Sequence, residues 1–125
     1  MGYRDLEIWK ISNELVLMIH SMTLENLPKF EMFETGSQIR RSIKSVKANI
    51  VEGFGRRKYK QEFLHFLVVA LASAYETSDH LETLYLTRSL NDYPQFDLQN
   101  RKVDLLCRKI NLFIQSVEKG HQSSK

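Results

Sequence analysis

Two glycines one residue apart, Gly53 and Gly55, stand ahead of Arg56, Arg57, Lys58 and Lys60 in the stretch EGFGRRKYKQEF. Glycine lets a backbone approach a phosphate closely, and clustered cations neutralise it, so the first chemistry to test is phosphate binding. A dinucleotide loop needs a third glycine and a preceding strand, and a nucleotide-triphosphate loop ends in Gly-Lys-Ser/Thr. Neither pattern is present. The stretch reads instead as a joint between two helices. A glycine there can take the left-handed conformation that closes a helix, and the arginines sit at the negative end of its dipole. Phe54 can pack beneath the turn.

Metal and covalent chemistry find weaker support. The pairs Glu62/His65 and Glu118/His121 have the E-x-x-H spacing of bundle di-iron sites. The first opens a helix, and the second spans Gly120 into the tail. Glu76 and His80 share a face, but two ligands do not close a metal site. The single cysteine, Cys107, lies in an apolar periodic segment and reads as a buried thiol. No nucleophile elbow or H-E-x-x-H motif occurs. The expectation is no catalytic residue, no metal, no cofactor and no enzyme activity.

The chain has 125 residues, enough for one domain with one core. It carries a formal charge of +3. Between Arg40 and Lys60 stand eight basic residues and one acid, a local balance of +7 against −4 elsewhere. Arg40, Lys44 and Lys47 fall within roughly 60° of one another on a helix. With Arg56, Arg57, Lys58 and Lys60 they form a strip able to hold phosphates in a salt-sensitive, sequence-tolerant way, with Tyr59 able to stack on an unpaired base. The competing reading is an ordinary solvated face, or one neutralised by acids of a neighbouring subunit. The N-terminus lacks a secretory pattern, position 6 is not the Ser or Thr of a myristoylation signal, and the longest apolar run is too short for a bilayer. The cytoplasm is the expected compartment, with no membrane contact.

The elements that position these residues follow from apolar spacing. Asp5 is expected to cap a first helix with Ile8, Ile11, Leu15, Ile19 and Met22 on one stripe. A short loop from Asn26 to Phe30 follows. A second helix is expected over Glu31–Phe54, with Met32, Ile39, Ile43, Val46, Ile50 and Phe54 inward, and Gly36 as a weak point worth about 1 kcal/mol. The third runs over Tyr59–Leu90 and is ended by Asn91-Asp92-Tyr93-Pro94. Asp97 is expected to cap a fourth carrying Val103, Leu106, Ile110, Phe113, Ile114 and Val117. Short joints favour an all-α, antiparallel up-down-up-down four-helix bundle over residues 1–120, with 121–125 a disordered tail.

The third helix carries more apolar surface than one bundle can cover. From Phe63 to Tyr75 all residues but His65 and Ser73 are apolar. A helix apolar nearly all round must be covered on more than one side. A homo-oligomer supplies that cover; a monomer with an exposed patch is the alternative.

The segments RDLEIWK (Arg4–Lys10), QIRRSIKSVKANIVEGFGRR (Gln38–Arg57) and EFLHFLVVALASAYETSDHLE (Glu62–Glu82) resemble the four-helix-bundle family of 23S rRNA intervening-sequence proteins. The likeness covers roughly the first 85 to 90 residues. The matching positions are Arg41, Ser45, Asn49, Glu52, Gly53, Arg56, Ser73, Glu76 and Thr77. The resemblance implies a cytoplasmic bacterial bundle assembled as a ring-like homopentamer. A related branch, the accessory variability determinants of diversity-generating retroelements, associates with a reverse transcriptase and nucleic acid. Many relatives have Ser or Thr after the arginines, where Lys58 and Tyr59 stand here, so the third helix is expected to lack that cap. Many also have Gly where this chain has Ala72, which would relax a close helix contact.

Arg41 and Glu52 are about 16 Å apart along one helix, so each is expected to find its partners on another helix or subunit. Fold and assembly specification is the expected role of Arg41, Asn49 and Glu52. The functional expectation is a non-enzymatic, homo-oligomeric helical scaffold that engages a protein or nucleoprotein partner, with weak RNA or DNA binding through the basic strip. A purely structural assembly protein is the alternative.

Overall fold

A computed structural model describes residues 1–120, so the expectation for residues 121–125 lies outside the described residues. Four helices make up the fold: α1 (Glu7–Glu25), α2 (Thr35–Gly55), α3 (Lys60–Leu86) and α4 (Tyr93–Gly120). Each packs on the next in chain order, and α4 closes back onto α1. Ser42 meets Thr77 and Ser45 meets Ser73, so α2 and α3 run antiparallel. Lys102 and Lys109 reach Glu14 and Glu7, which sets α4 antiparallel to α1. This is the all-α four-helix bundle expected from the apolar spacing.

The apolar stripes meet on one axis. Leu15, Ile19, Ile39, Ile50, Leu67, Leu81, Leu106 and Ile110 are wholly shielded from solvent. Burying a side chain of that size stabilises by about 1.5–3 kcal/mol, and most of the helical content rests on it. No helix among the described residues is long and apolar enough to cross a membrane.

Helix ends depart from the expected boundaries, each for a local reason. Asp5 does not cap α1; it accepts the Gly2 N–H at 2.9 Å and closes a 3-10 turn, and α1 starts after Leu6. Residues Lys29–Phe33 form a second 3-10 turn instead of the start of α2, so Met32 leaves the core stripe. Within that turn Glu31 is buried, which apolar spacing did not indicate. Its carboxylate accepts the Thr35 N–H at 3.0 Å and the Ser89 hydroxyl at 2.6 Å, tying the start of α2 to the α3–α4 joint. Gly36 is required here rather than weak: a Cβ would overlap the Glu31 carbonyl oxygen.

α3 stops at Leu86, four residues early. Arg88 turns the chain with φ 66°, and the Leu90 N–H returns to the Leu84 carbonyl at 2.9 Å. Leu90 then plugs the core. Asp92, not Asp97, caps α4, accepting the Gln95 N–H at 3.2 Å. Pro94 therefore sits in the first turn of α4, where its missing N–H costs nothing, rather than ending α3.

Candidate functional site

α2 presents two different flanks. The flank toward α3 is small and polar. The Ser42 and Thr77 hydroxyls lie 2.8 Å apart and are buried, while Thr77 also contacts the Ser73 carbonyl at 2.9 Å and Ser42 the Ile39 carbonyl at 3.1 Å. Two hydroxyl protons face three contacts, so one hydroxyl donates to the other and the accepting hydroxyl donates to its own helix carbonyl. Ser45 and Ser73 hydroxyls meet at 2.9 Å, and Asn49 Nδ2 donates to the Ser45 carbonyl at 2.8 Å and to its hydroxyl at 3.1 Å.

Gly53 lets the helices close at this flank: a Cβ there would stand 3.1 Å from Phe66 Cβ and 3.4 Å from the Phe63 carbonyl oxygen. Ser45, Asn49, Gly53, Ser73 and Thr77 are thereby gathered into one seam. Glu76 is exposed beyond it and contacts His80 at 3.2 Å. Ala72 is exposed and lies off the seam, so it relaxes no helix contact. Ser42 was missed because a serine among apolar neighbours gives no sign of the hydroxyl it will meet.

Glu52 finds its partner just past the end of its own helix. Arg56 donates to Glu52 at 2.8 Å and to Glu62 of α3 at 2.7 Å, forming an exposed clamp across the joint. The two carboxylates raise the Arg56 pKa above its ordinary value, Glu62 contributing most. Arg41 is exposed, with no hydrogen bond or ion pair among the described residues. The joint needs no left-handed glycine. α2 runs helical through Gly55, and no glycine among the described residues has positive φ. Phe54 is buried under the turn with the Arg57 guanidinium 4.0 Å from its ring centre. Tyr59 precedes α3 without a side-chain cap bond, as expected from the Lys58-Tyr59 departure.

The basic strip is divided between separate settings. Arg56 is committed to two acids, Arg57 donates to the Phe54 carbonyl, and Lys60 donates to the Glu118 carbonyl at the end of α4 at 2.8 Å. Lys58 is exposed beside Tyr59. Arg40, Lys44 and Lys47 lie on the other flank of α2, toward α1. Lys47 donates to Asn13 at 2.7 Å and stands 5.4 Å from the Trp9 ring centre; Arg40 donates to the Met32 carbonyl at 2.7 Å. Lys44 is exposed.

The long apolar stretch of α3 divides by depth. Phe63, Leu67, Ala70 and Ala74 are buried, and Leu64 and Leu71 are half-buried. Val68 and Tyr75 remain 53% and 57% exposed. Tyr75 borders a cleft of about 440 Å³ with Asp104, Cys107, Arg108 and Asn111 of α4. Burial, with Asp104 nearby, pushes the Cys107 thiol up to about 11, so at neutral pH it is a thiol and a poor nucleophile. Among the described residues no group of three or more His, Cys, Asp or Glu could hold a metal ion. His121 lies outside them, and His65 packs edge-on against Phe66.

No curated protein matches the chain. A solved structure, a protein of unknown function from the S23 ribosomal protein family of Bacteroides thetaiotaomicron VPI-5482, superposes with a TM-score of 0.75 at 24% identity. The match covers 86% of this chain and 95% of that one, and it shows a shared fold. The family model described as 23S rRNA-intervening sequence protein matches residues 4–111, from the start of the bundle into α4. The small polar seam, the close approach at Gly53 and the four-helix frame therefore belong to a chain that is a member of the 23S rRNA-intervening sequence protein family.

Proposed function

We propose that this chain is a non-enzymatic, homo-oligomeric helical scaffold that engages a protein or nucleoprotein partner and binds RNA or DNA weakly through its basic residues. The observation that carries the scaffold reading is the outer face of α3. Half-buried Leu64 and Leu71 alternate along it with exposed Val68 and Tyr75, an apolar ridge without charge along three turns. Such a ridge is stabilised when a second copy removes it from water. The resemblance points to five copies in a ring.

Light scattering coupled to size-exclusion chromatography tests this. The expected result is a defined oligomer that Val68→Glu with Tyr75→Glu converts to monomer while circular dichroism stays helical. A parent chain that remains monomeric at high concentration overturns the scaffold.

A second reading, a purely structural assembly protein, has its own support. The clamp of Arg56 between Glu52 and Glu62 consumes charge that phosphate would need. Undetectable affinity for RNA and DNA at low salt decides for it.

A further inference from the structure

The basic residues between Arg40 and Lys60 do not share one fate, and the difference locates an interface. α1 and α2 together carry four acids: Glu7, Glu14, Glu25 and Glu52. Glu7 and Glu14 turn away to pair with Lys109 and Lys102 of α4, and Glu52 turns toward α3 to pair with Arg56. Glu25 ends α1. The groove between α1 and α2 is left with Arg40, Lys44 and Lys47 on one wall. On the other stand Trp9, Asn13, Val16 and His20, which share one side of α1 by helical spacing. None of these is an acid. A groove lined by one sign of charge attracts the opposite sign beyond any single contact.

The groove also holds an aromatic group. Trp9 is half-buried, with Tyr3 edge-on at 5.8 Å between centroids and the Lys47 ammonium 5.4 Å from its ring centre. Its indole N–H is buried without a protein acceptor. The Lys47 ammonium lies within cation–π distance of the ring and can move to a phosphate, freeing the indole for a base. Arg40 to Lys47 spans about 10 Å along the helix, at 1.5 Å per residue, room for successive phosphates of one strand. An acidic peptide would use the cations and leave the indole idle. Alternating phosphates and bases use both.

We propose that single-stranded nucleic acid lies in the α1/α2 groove, its phosphates on Lys44 and Lys47 in the field of Arg40 and a base against Trp9. This rests on the nucleic-acid part of the proposed function and narrows it. The binding wall is this flank, not the Arg56–Lys60 joint. It also lies across the bundle from the α3 ridge, so an oligomer formed through that ridge leaves the groove open.

Trp9 is the one tryptophan in the chain, so its emission reports on the groove alone. The parent protein is titrated with end-labelled 20-nucleotide oligo(U) and oligo(dT), following both label anisotropy and Trp9 emission at two salt concentrations. Saturable binding with a change in Trp9 emission is expected. Lys44→Gln with Lys47→Gln is expected to weaken it about tenfold or more at low salt and to lower the log–log salt slope by about 1.4. Arg57→Gln with Lys58→Gln is expected to change it less than about threefold. Circular dichroism confirms the fold of each variant.

Binding that survives the first pair and is lost with the second overturns the groove and keeps the nucleic-acid reading. So does binding that leaves Trp9 emission unmoved. No binding by the parent at low salt overturns both, as does binding only to phosphatidylserine vesicles.

Discussion

The two ends of the bundle hold their joints by opposite means. At the α2–α3 end the chain is conspicuous in sequence, with Gly53, Gly55 and four cations, yet its contacts are exposed: Arg56 bridges Glu52 and Glu62 in solvent. At the other end the sequence looks ordinary, yet Glu31 is buried and connects the start of α2 to Ser89 beyond α3. An exposed ion pair contributes little, because water and salt screen it and two long side chains must be ordered. A buried carboxylate holds only if its oxygens are satisfied, so its partners matter far more. Visibility in sequence and energetic weight are inverted between the two ends.

Substitutions at each end test that inversion. Gly36→Ala should have the largest effect. Its Cβ would overlap the Glu31 carbonyl oxygen, and about 3 kcal/mol of stability should be lost despite the better helix propensity of alanine. Urea unfolding measures it, and a neutral result would remove the close contact from the account. Glu31→Ala should cost about 2–3 kcal/mol, because the Thr35 N–H and Ser89 hydroxyl lose their acceptor together. If Ser89→Ala in the Glu31→Ala background adds its full separate cost, the two do not act as one unit.

At the α2–α3 end the effects should be smaller. Gly53→Ala pushes against Phe66 Cβ, 3.1 Å away, and should cost about 1 kcal/mol after the gain in propensity. A stabilised variant would show that α2 and α3 separate there without penalty. Arg56→Gln should leave the melting temperature unchanged and insensitive to added salt; a clear drop would mean the exposed clamp holds the joint after all.

Much of the fold was legible. Ile8, Ile11, Leu15, Ile19 and Met22 mark the inward face of α1, and each is buried. Core-facing spacing repeats with the helix period, so it survives translation from sequence to structure. Boundaries were less legible because caps depend on which backbone groups remain unpaired. Asp5 and Asp97 had the right chemistry for caps, yet Asp5 closed a 3-10 turn and Asp92 capped α4. The candidate site was legible as a list of residue types and opaque as an arrangement. Arg40, Lys44 and Lys47 were correctly grouped by angle on one helix. That Arg56 and Lys60 would be engaged by α3 and α4 depended on neighbours far along the chain.

By itself the sequence determined the number of helices, their inward faces and the excess apolar surface of α3, since each is a local periodicity. Tertiary structure alone decided that Ser42 meets Thr77, that Glu31 is buried, and that the basic residues between Arg40 and Lys60 part between the α1-facing flank of α2 and the α2–α3 joint. Those outcomes depend on which helix packs against which face, and pairings between residues 35 or 58 positions apart leave no periodic trace along the chain.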